Sequence, residues 1–262
     1  MPPLVPAPSR DSAVAALRAA GCVFAEDEAE LILTTARTPD ELAAMVERRV
    51  AGLPLEHVLG WAEFRGLRIQ VAPGVFVPRR RTEFLVDRAL ARAPHARVVV
   101  DLCCGSGALG AALAAALGPV ELHAADIDPA AVRCARRNVA GRGGQVYTGD
   151  LFEALPAALR GRVDILAANV PYVPTEEVAL LPSEARDHEP LTALDGGADG
   201  LDVLRRVAAG APGWLAPGGV LLVETSERQA PTAVDAFTRV GLTTELTVSE
   251  EWHAHVVIGT RT

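Results

Sequence analysis

Hydrophobic positions follow two different patterns along the chain. Before about residue 50, apolar residues recur at helical spacing, with acidic residues or proline in the first turns, in three stretches: Ala13 to Ala20, Glu26 to Ala36 and Pro39 to Val50. From about Val98 onward, short apolar runs such as "RVVVDL", "ELHAAD", "VDILAAN" and "GGVLLVE" alternate with alanine-rich helical stretches. This pattern is typical of parallel strands connected by helices. We therefore predict a small helical N-terminal domain followed by a doubly wound α/β domain.

The segment between these two regions has the pattern of a hairpin. From Pro54 to Val77, apolar and polar positions alternate around Gly66, and prolines interrupt the pattern. Near the end of the chain, Leu242 to Val248 and His253 to Gly259 have no helical pattern between them, which predicts two terminal strands with antiparallel pairing. The predicted domains are a helical domain over 1–53, a hairpin-containing linker over 54–80 and an α/β domain over 81–262.

Composition narrows the classes of protein to which the chain can belong. Half of its 262 residues are hydrophobic, which is enough to bury a core. The excess of 33 acidic over 25 basic residues gives a net charge of −8, which disfavours a nucleic-acid partner. The four cysteines lack the spacing of metal ligands, and the start "MPPLVPAPSR" lacks the pattern of a signal peptide. We expect reduced thiols, a cytoplasmic location and a monomer.

Two further patterns resemble a membrane span and a metal site. Leu102 to Val120 is uncharged, but glycines interrupt its first half and alanine dominates its second half. It therefore predicts a loop and a buried helix, with no membrane partner. His253 and His255 are two residues apart, which would place them on one face of a strand, but no third ligand accompanies them. We predict no metal site.

The stretch "DLCCGSGALG" has the features of a ligand-binding loop. Gly105, Gly107 and Gly110 follow a predicted strand and open a predicted helix, where glycine lets the backbone approach a ligand closely. The same spacing fits a dinucleotide loop, and Asp126 after the next strand also suits NAD. Asp101, however, would face a cationic or amino-bearing ligand and would lie unfavourably close to a pyrophosphate. The acid therefore favours S-adenosylmethionine, although the glycines alone leave both cofactors open.

Three further acids follow predicted strands. Asp126 would accept hydrogen bonds from both hydroxyls of a ribose, whereas Asp128, which precedes a proline, has the pattern of a helix N-cap. Asp150 in "TGDLF" could accept a hydrogen bond from an adenine amino group, with Leu151 or Phe152 against the ring. A second helix cap is an equally good interpretation of Asp150.

The stretch "LAANVPYVP" ends a predicted buried strand at Asn169. Burial of an amide costs free energy unless it forms hydrogen bonds, so this residue is either a turn former or a ligand-binding group. Its place at the carboxyl edge of the sheet, beside the first strand, favours ligand binding. The amide oxygen of Asn169 and the carbonyl oxygen of Val170 could each accept one hydrogen of a planar amino group, and Tyr172 could stack on that plane.

Taken in order, these motifs resemble those of the HemK/PrmC-type protein-(glutamine-N5) methyltransferases. These S-adenosylmethionine enzymes modify the glutamine of the Gly-Gly-Gln motif in peptide-chain release factors. The similarity covers most of the chain from residue 54, from "PLEHVLGWAEFRGLRIQVAPGVFVPRRRTEFLVDRAL" through "ADIDPAAVRCARRN" and "GDLFEAL" to "HEPLTALDGGADGL" and "LAPGGVLLVE". The resemblance implies a Rossmann-like class I methyltransferase with a seven-stranded doubly wound sheet, preceded by a helical domain that docks the protein substrate.

The resemblance also implies roles for individual residues. The implied cofactor site comprises Phe76, Arg79, Thr82, Asp101, Gly105, Gly107, Asp126, Ile127, Asp150, Leu151 and Asn169. The implied catalytic residues are Asn169, Val170, Pro171 and Tyr172. Asp187, His188 and Glu189 in "SEARDHEP" could include a general base, but the resemblance implies a structural, substrate-facing loop for this segment.

The chain departs from the family pattern at two places. Val170 replaces the first proline of the usual Asn-Pro-Pro-Tyr, which keeps the backbone acceptor and lowers the rigidity of the loop. In "PRRRTE", Arg80 and Arg81 stand where proline and glutamate are usual. This run predicts added positive charge beside the substrate, which would favour an acidic surface around the target amide; the other interpretation is a solvated helix start.

The sequence thus predicts an enzyme in which an amide nitrogen attacks an activated methyl group in line, with orientation supplying most of the acceleration. Two alternatives remain open at this point. One is an N-methyltransferase that acts on an exocyclic amine of nucleic acid, such as adenine, or on another small or peptide substrate. The other is a module that binds S-adenosylmethionine without turnover.

Overall fold

The computed structural model describes residues 9 to 262, so the first eight residues of the predicted 1–53 domain lie outside it. The described chain begins with amphipathic helices, α1 (Arg10–Ala19), α2 (Ala25–Thr35) and α3 (Pro39–Val50). The hydroxyl of Ser9 caps α1, and that of Thr38 caps α3. The apolar faces of these helices meet in a cluster that includes Leu17, Ile32 and Met45.

A short helix, α4 (Leu55–Leu59), follows the expected end of the helical region and was not predicted. It contributes Val58 to the same apolar cluster, and Gly60 ends it in the left-handed conformation. The predicted hairpin comes next and is confirmed: β1 (Trp61–Phe64) pairs antiparallel with β2 (Leu67–Gln70). Its two turn residues both have positive φ, which matches the right-handed twist of the strands.

Seven strands form the central sheet in residues 9–262, as predicted. They are β3 (Val98–Leu102), β4 (Glu121–Asp126), β5 (Gln145–Thr148), β6 (Val163–Ala168), β7 (Leu215–Thr225), β8 (Thr243–Ser249) and β9 (Ala254–Thr260). Their order is β5-β4-β3-β6-β7-β9-β8, and β9 runs antiparallel to both of its neighbours. The doubly wound α/β class and the antiparallel terminal strands are therefore confirmed.

Helices cover both faces of this sheet because its inner strands are apolar on both sides. Every residue of β3 is buried. One core layer holds residues of α5 (Glu83–Arg92), α6 (Ala108–Leu117) and α7 (Pro129–Val139). Short helices α8 (Ser183–His188) and α9 (Leu191–Leu194) then precede α10 (Asp202–Gly210) and α11 (Ala230–Arg239), which supply the other layer.

Two local predictions are wrong. The segment "SEARDHEP" is not all loop, because α8 occupies most of it. His253 does not share a strand face with His255, because it lies in a turn with a φ of 47° before β9 begins. The expected reduced cysteines are found as free thiols. In the part of the chain that the structure describes, no helix is both long and apolar enough to cross a bilayer.

The topology creates a crevice between β3 and β6. From β3 the chain builds outward through β4 and β5, and then returns to the other side of β3 with β6. Strands that diverge in this way leave a gap at their carboxyl ends, where open α/β sheets bind ligands. Asp101 and Ala167 are register partners near this edge, so the glycine loop after β3 and the loop after β6 face each other.

Candidate active site

A cavity of about 800 Å³ lies at the carboxyl edge of the sheet, within the size range of small-molecule sites. Its wall brings together residues that are far apart in the sequence. Of the predicted site residues, the following line it: Phe76, Arg79, Thr82, Gly105, Asp126, Ile127, Asp150, Leu151, Asn169, Val170, Pro171 and Tyr172. Asp101 and Gly107 do not.

Asp126 is fixed by the backbone of the glycine loop and of its own turn. Its Oδ2 accepts a hydrogen bond from the Gly105 N–H at 2.8 Å, and its Oδ1 accepts one from the Asp128 N–H at 2.9 Å. Burial raises the pKa of the carboxyl, and these backbone hydrogen bonds oppose the rise. Because a carboxylate oxygen can accept two hydrogen bonds, both oxygens retain the capacity to bind a hydroxyl.

Asp101 and Gly107 do not line this cavity, and their roles at the cofactor remain predictions. The Asp101 carboxyl is fully buried, and its Oδ2 accepts the Gly110 N–H of α6 at 2.8 Å. Its Oδ1 has no partner within residues 9–262, and burial raises the pKa of the group to about 8. Gly107 has a φ of 78° and faces Ala135 of α7, where an added Cβ would lie at 3.0 Å. Both residues therefore pack the glycine loop against the helices behind it.

Asp128 and Asp150, the two acids interpreted as possible helix caps, make different contacts. Asp128 caps α7 through a hydrogen bond from the Ala130 N–H at 2.7 Å, as predicted. Asp150 makes no capping bond, and its Oδ2 accepts a hydrogen bond from Arg206 at 2.6 Å. Leu151 has a φ of 48° and lines the cavity. Strained backbone of this kind is common at ligand sites.

Phe152 is the residue that sequence reasoning could not separate from Leu151. It does not line the cavity, because its ring stacks on Trp214 with centroids 5.5 Å apart. An added Cβ on Gly210 would lie 2.4 Å from this ring, so α10 also packs closely against it. Leu151 is therefore the side chain of this pair that is placed to contact a planar ligand.

Glu189 anchors the linker to the far side of the cavity. Both of its carboxylate oxygens accept hydrogen bonds from Arg79 at 2.7 Å, and one also accepts the Val77 N–H at 3.1 Å. The Arg79 guanidinium in turn lies 4.8 Å from the centre of the Phe76 ring. These contacts occupy the Glu189 carboxylate, which holds the linker against the cavity wall. Sequence reasoning missed this role because the partners lie 110 residues apart.

The loop after β6 presents two hydrogen-bond acceptors at the cavity wall. The Oδ1 of Asn169 is buried and has no partner among the described residues. No group in that part of the chain donates a hydrogen bond to the Val170 carbonyl oxygen either. A buried amide oxygen without a donor costs free energy, which is typical of a site where a bound group supplies the missing hydrogen. The side chain of Val170 is buried and fixes the loop from the core side.

Other segments stiffen this loop, although a proline is missing. Gly196 and Gly200 pack directly on it: added Cβ atoms would lie 2.6 Å from the Pro171 carbonyl oxygen and 2.3 Å from that of Tyr172. The side chain of Gln229 donates a hydrogen bond to the Tyr172 carbonyl oxygen at 2.8 Å. The predicted loss of rigidity at Val170 is therefore offset by contacts from elsewhere in the chain.

The arginine run is not simply solvated. Arg81 donates one hydrogen bond to the Tyr172 hydroxyl and another to Glu224 at 2.9 Å. Arg80 points elsewhere, 5.9 Å from the centre of the Trp252 ring. The positive charge of Arg81 is paired with the buried Glu224 carboxylate, so the charge that the run was predicted to add beside the substrate is offset at this position. Sequence reasoning missed Glu224, for which an acid at the end of an apolar strand is the only local signal.

No group of three or more His, Cys, Asp or Glu side chains in residues 9–262 is arranged to hold a metal ion. Burial raises the pKa of the Cys103 thiol beside the cavity, and the nearby acids raise it further. The wall thus offers hydrogen-bond acceptors and apolar surface, and it presents no thiolate nucleophile.

Comparisons with known proteins bear on this arrangement. A family model described as "Methyltransferase small domain" matches residues 66–181. The release factor glutamine methyltransferase of Geobacter sulfurreducens is 41% identical over 228 residues, which are 85% of this chain and 79% of that protein. The 4-amino-L-phenylalanine/4-methylamino-L-phenylalanine methyltransferase of Streptomyces pristinaespiralis is 37% identical over 203 residues, which are 75% of this chain and 69% of that protein. A solved methyltransferase from Pyrococcus furiosus, at 16% identity, covers 75% of this chain and 90% of its own with a TM-score of 0.57, which shows the fold alone.

These relatives decide between the two cofactors that the glycine spacing left open. The matched family model and both relatives are methyltransferases, so the cofactor is S-adenosylmethionine and not NAD. The sheet has the order and the antiparallel edge of a class I methyltransferase. The chain therefore belongs to the release factor glutamine methyltransferase family and is an S-adenosylmethionine-dependent methyltransferase.

Proposed function

We propose that this enzyme methylates the side-chain amide nitrogen of a glutamine in a protein, and that a peptide-chain release factor is the acceptor. The pair of acceptors at Asn169 and Val170 carries the proposal, because two oxygens that lack a donor among residues 9–262 match the two hydrogens of an amide NH2 group. The similarity to the G. sulfurreducens enzyme over most of both chains supports a release factor as the substrate.

The residues on the cavity wall fit S-adenosylmethionine. Asp126 would hold the ribose hydroxyls, and Asp150 with Leu151 would hold the adenine. Gly105 and Phe76 would lie beside the methionine part, since an added Cβ on Gly105 would lie 3.9 Å from the Phe76 side chain. Arg79 and Thr82 complete this wall from the linker. When bound, the cofactor supplies a methyl group made electrophilic by a sulfonium.

Asn169 and the Val170 carbonyl would orient the acceptor amide. An amide nitrogen is a poor nucleophile because its lone pair is delocalised, so its position relative to the methyl group determines the rate. Acceptors on both N–H groups increase the electron density at nitrogen and align it for attack, with Tyr172 against the amide plane. No strong base is required before transfer, because the proton leaves after methylation has made the nitrogen acidic.

We further propose that the helices before residue 60 dock the protein substrate. Pro54 and Glu56 reach the cavity wall, and Arg49 of α3 donates a hydrogen bond to Glu184 of α8 at 2.6 Å. Arg49 also pairs with the buried Glu28, so the link between the helices and the wall is firmly held.

The turn between α1 and α2 carries the exposed apolar side chains that would meet this substrate. Val23 and Phe24 are 83% and 67% exposed. Changing both to serine should raise the Michaelis constant for the protein acceptor by at least roughly 10-fold, since burial of such side chains contributes about 1.5 kcal/mol or more. The cofactor dissociation constant should stay unchanged. Val248→Ser, an exposed site on the edge strand β8, is the matched control. An unchanged Michaelis constant for the double variant would contradict docking at this turn.

A comparison of acceptors tests the proposed function. The enzyme is incubated with methyl-labelled cofactor and, in parallel, with a purified release factor, a release factor whose Gly-Gly-Gln glutamine is replaced by alanine, a DNA duplex and 4-amino-L-phenylalanine. We expect label in the intact release factor alone. Label in the DNA or in the free amino acid, with none in the release factor, would overturn the proposal.

A further inference from the structure

Tyr172 is held through both its side chain and its backbone. Its hydroxyl accepts a hydrogen bond from Arg81, and its backbone carbonyl accepts one from Gln229 at 2.8 Å. Gly200 packs closely against the same carbonyl oxygen, where an added Cβ would lie at 2.3 Å, so the backbone beneath the ring is tightly packed. The orientation of the ring therefore depends on what holds the hydroxyl.

Arg81 is itself fixed by a buried acid. Its Nε donates to Glu224 Oε1 at 2.9 Å, and the Glu224 side chain is only 3% exposed, whereas that of Arg81 is 44% exposed. The second carboxylate oxygen of Glu224 has no hydrogen-bond partner among residues 9–262. A buried carboxylate in this situation depends on the adjacent guanidinium, because the loss of one member of a buried pair is costly. The planar guanidinium can serve Glu224 and Tyr172 at once through two different nitrogens.

We propose that Arg81 is a positioning residue for methyl transfer. Glu224 fixes Arg81, Arg81 fixes the Tyr172 ring, and the ring orients the plane of the acceptor amide. The proposal rests on the proposed function in taking Tyr172 as the residue against which the amide lies. In this role, Arg81 contacts neither the amide nor the methyl group. Its contribution is to remove the freedom of a ring that would otherwise lose its partner on the hydroxyl side.

The chemical state of Tyr172 fits this role. Burial raises the pKa of its hydroxyl, the charge of Glu224 raises it further, and Arg81 partly opposes the rise. The phenol therefore stays protonated near neutral pH, and its oxygen serves as the acceptor for Arg81. Neutralisation by Glu224 also leaves Arg81 poorly suited to attract an acidic substrate, so its effect should appear in turnover and not in salt-dependent substrate affinity.

Arg81→Lys tests the proposal while keeping the charge beside Glu224. A lysine ammonium can pair with Glu224 but cannot hold Tyr172 in the same fork. We expect kcat to fall by about 10- to 100-fold, with the cofactor dissociation constant and the Michaelis constant of the acceptor unchanged at low and at high salt. Arg80→Lys, at the neighbouring arginine over Trp252, is the matched control and should have wild-type kinetics.

A double-mutant cycle and a measurement without acceptor complete the test. Tyr172→Phe removes only the hydroxyl, so Arg81→Lys should have little further effect in that background. The chain has two tyrosines, Tyr147 and Tyr172, so carbon-13 labelling gives two ring signals that Tyr147→Phe assigns. In the enzyme without acceptor, Arg81→Lys should shift or broaden the Tyr172 signal and leave that of Tyr147 unchanged.

The results that overturn the proposal are distinct from those that overturn the proposed function. Additive kinetic effects, an unchanged Tyr172 signal, or a loss confined to a salt-dependent Michaelis constant would each show that Arg81 does not position the ring. If the wild-type enzyme labels another acceptor, the cycle is run with that acceptor. The proposed function has then failed, while the Tyr172 signal still decides the role of Arg81.

Discussion

The two halves of the cavity are built in different ways. Around Asp126, the cofactor half uses contacts that are short in sequence: Gly105 donates a hydrogen bond to Asp126 across 21 residues, and Asp128 donates one to Asp126 two residues away. In the substrate half, Arg81 reaches Tyr172 across 91 residues and Glu224 across 143. Motifs that are close in sequence can therefore preform this part of the cofactor site. The substrate loop, in contrast, is rigid only when the linker, β7 and the loop before α10 are all in place.

The largest effect is expected from Asn169→Ala, which separates the two halves. Loss of one of the two acceptors for the amide should lower kcat by about 100-fold or more, as for the removal of one group from a preorganised polar site. The cofactor dissociation constant should stay near the wild-type value, because Asp126 and Asp150 lie in the other half. Turnover assays and calorimetric titration on one preparation measure both. A large loss of cofactor affinity would mean that the halves are not separable.

Asp126→Ala should produce the opposite pattern. The carboxylate would serve two ribose hydroxyls, and loss of such an acceptor typically costs about 1 to 3 kcal/mol, so the cofactor should bind roughly 10- to 100-fold more weakly. Turnover at saturating cofactor should fall less. Asp126→Asn keeps one acceptor oxygen and should show a smaller loss of affinity. Equal affinities for the wild-type and alanine enzymes in calorimetry would remove Asp126 from the cofactor site.

The smallest effect on activity is expected at Asp101, whose influence is on the pH dependence of stability. With its pKa raised to about 8, the folded carboxyl keeps its proton between about pH 4 and pH 8, where the unfolded carboxyl loses it. The unfolded state then binds fewer protons, so this group lowers stability progressively as pH rises through that window. Asp101→Asn should remove that decline.

Urea unfolding without cofactor measures this difference. The free energy of unfolding of Asp101→Asn minus that of the wild type should increase from pH 5 to pH 8 by roughly 1 to 3 kcal/mol, the usual cost of a buried group that lacks a partner. Only the difference between the two proteins is informative, because other groups titrate in both. Parallel stability curves would show that Asp101 is ionised throughout in the folded protein.

The same contrast explains what could be predicted from the sequence. Hydrophobic periodicity identified the N-terminal helices, the hairpin and most strands of the sheet, and the proline after Asp128 identified its cap, because each depends on neighbouring residues. The number of seven strands came from the family resemblance. The α4 helix was missed because it is short and follows a proline. The contact of Asp101 with α6 could not be predicted, because an acid at the end of a strand can point to the ligand or to the helix behind it.

The long-range partners in the cavity wall could not have been predicted in this way. Nothing near Glu189 or Glu224 in the sequence indicates which arginine each one binds. The sequence left two interpretations of the arginine run open, a positive surface beside the substrate and a solvated helix start, and neither includes the pairing of Arg81 with Glu224. Contacts between segments more than 90 residues apart follow from the assembled fold, and those of Arg81 lie at a position where this chain departs from its family pattern.

The most direct test of glutamine methylation by this enzyme is to locate the transferred methyl group by fragmentation mass spectrometry. A release factor is incubated with the enzyme and S-adenosylmethionine, digested, and its Gly-Gly-Gln peptide is sequenced in the gas phase. We expect a single methyl group on the side-chain amide nitrogen of the glutamine, and we expect it to be absent when the Asn169→Ala enzyme is used. A methyl group on another residue, or an equal yield with Asn169→Ala, would contradict this expectation.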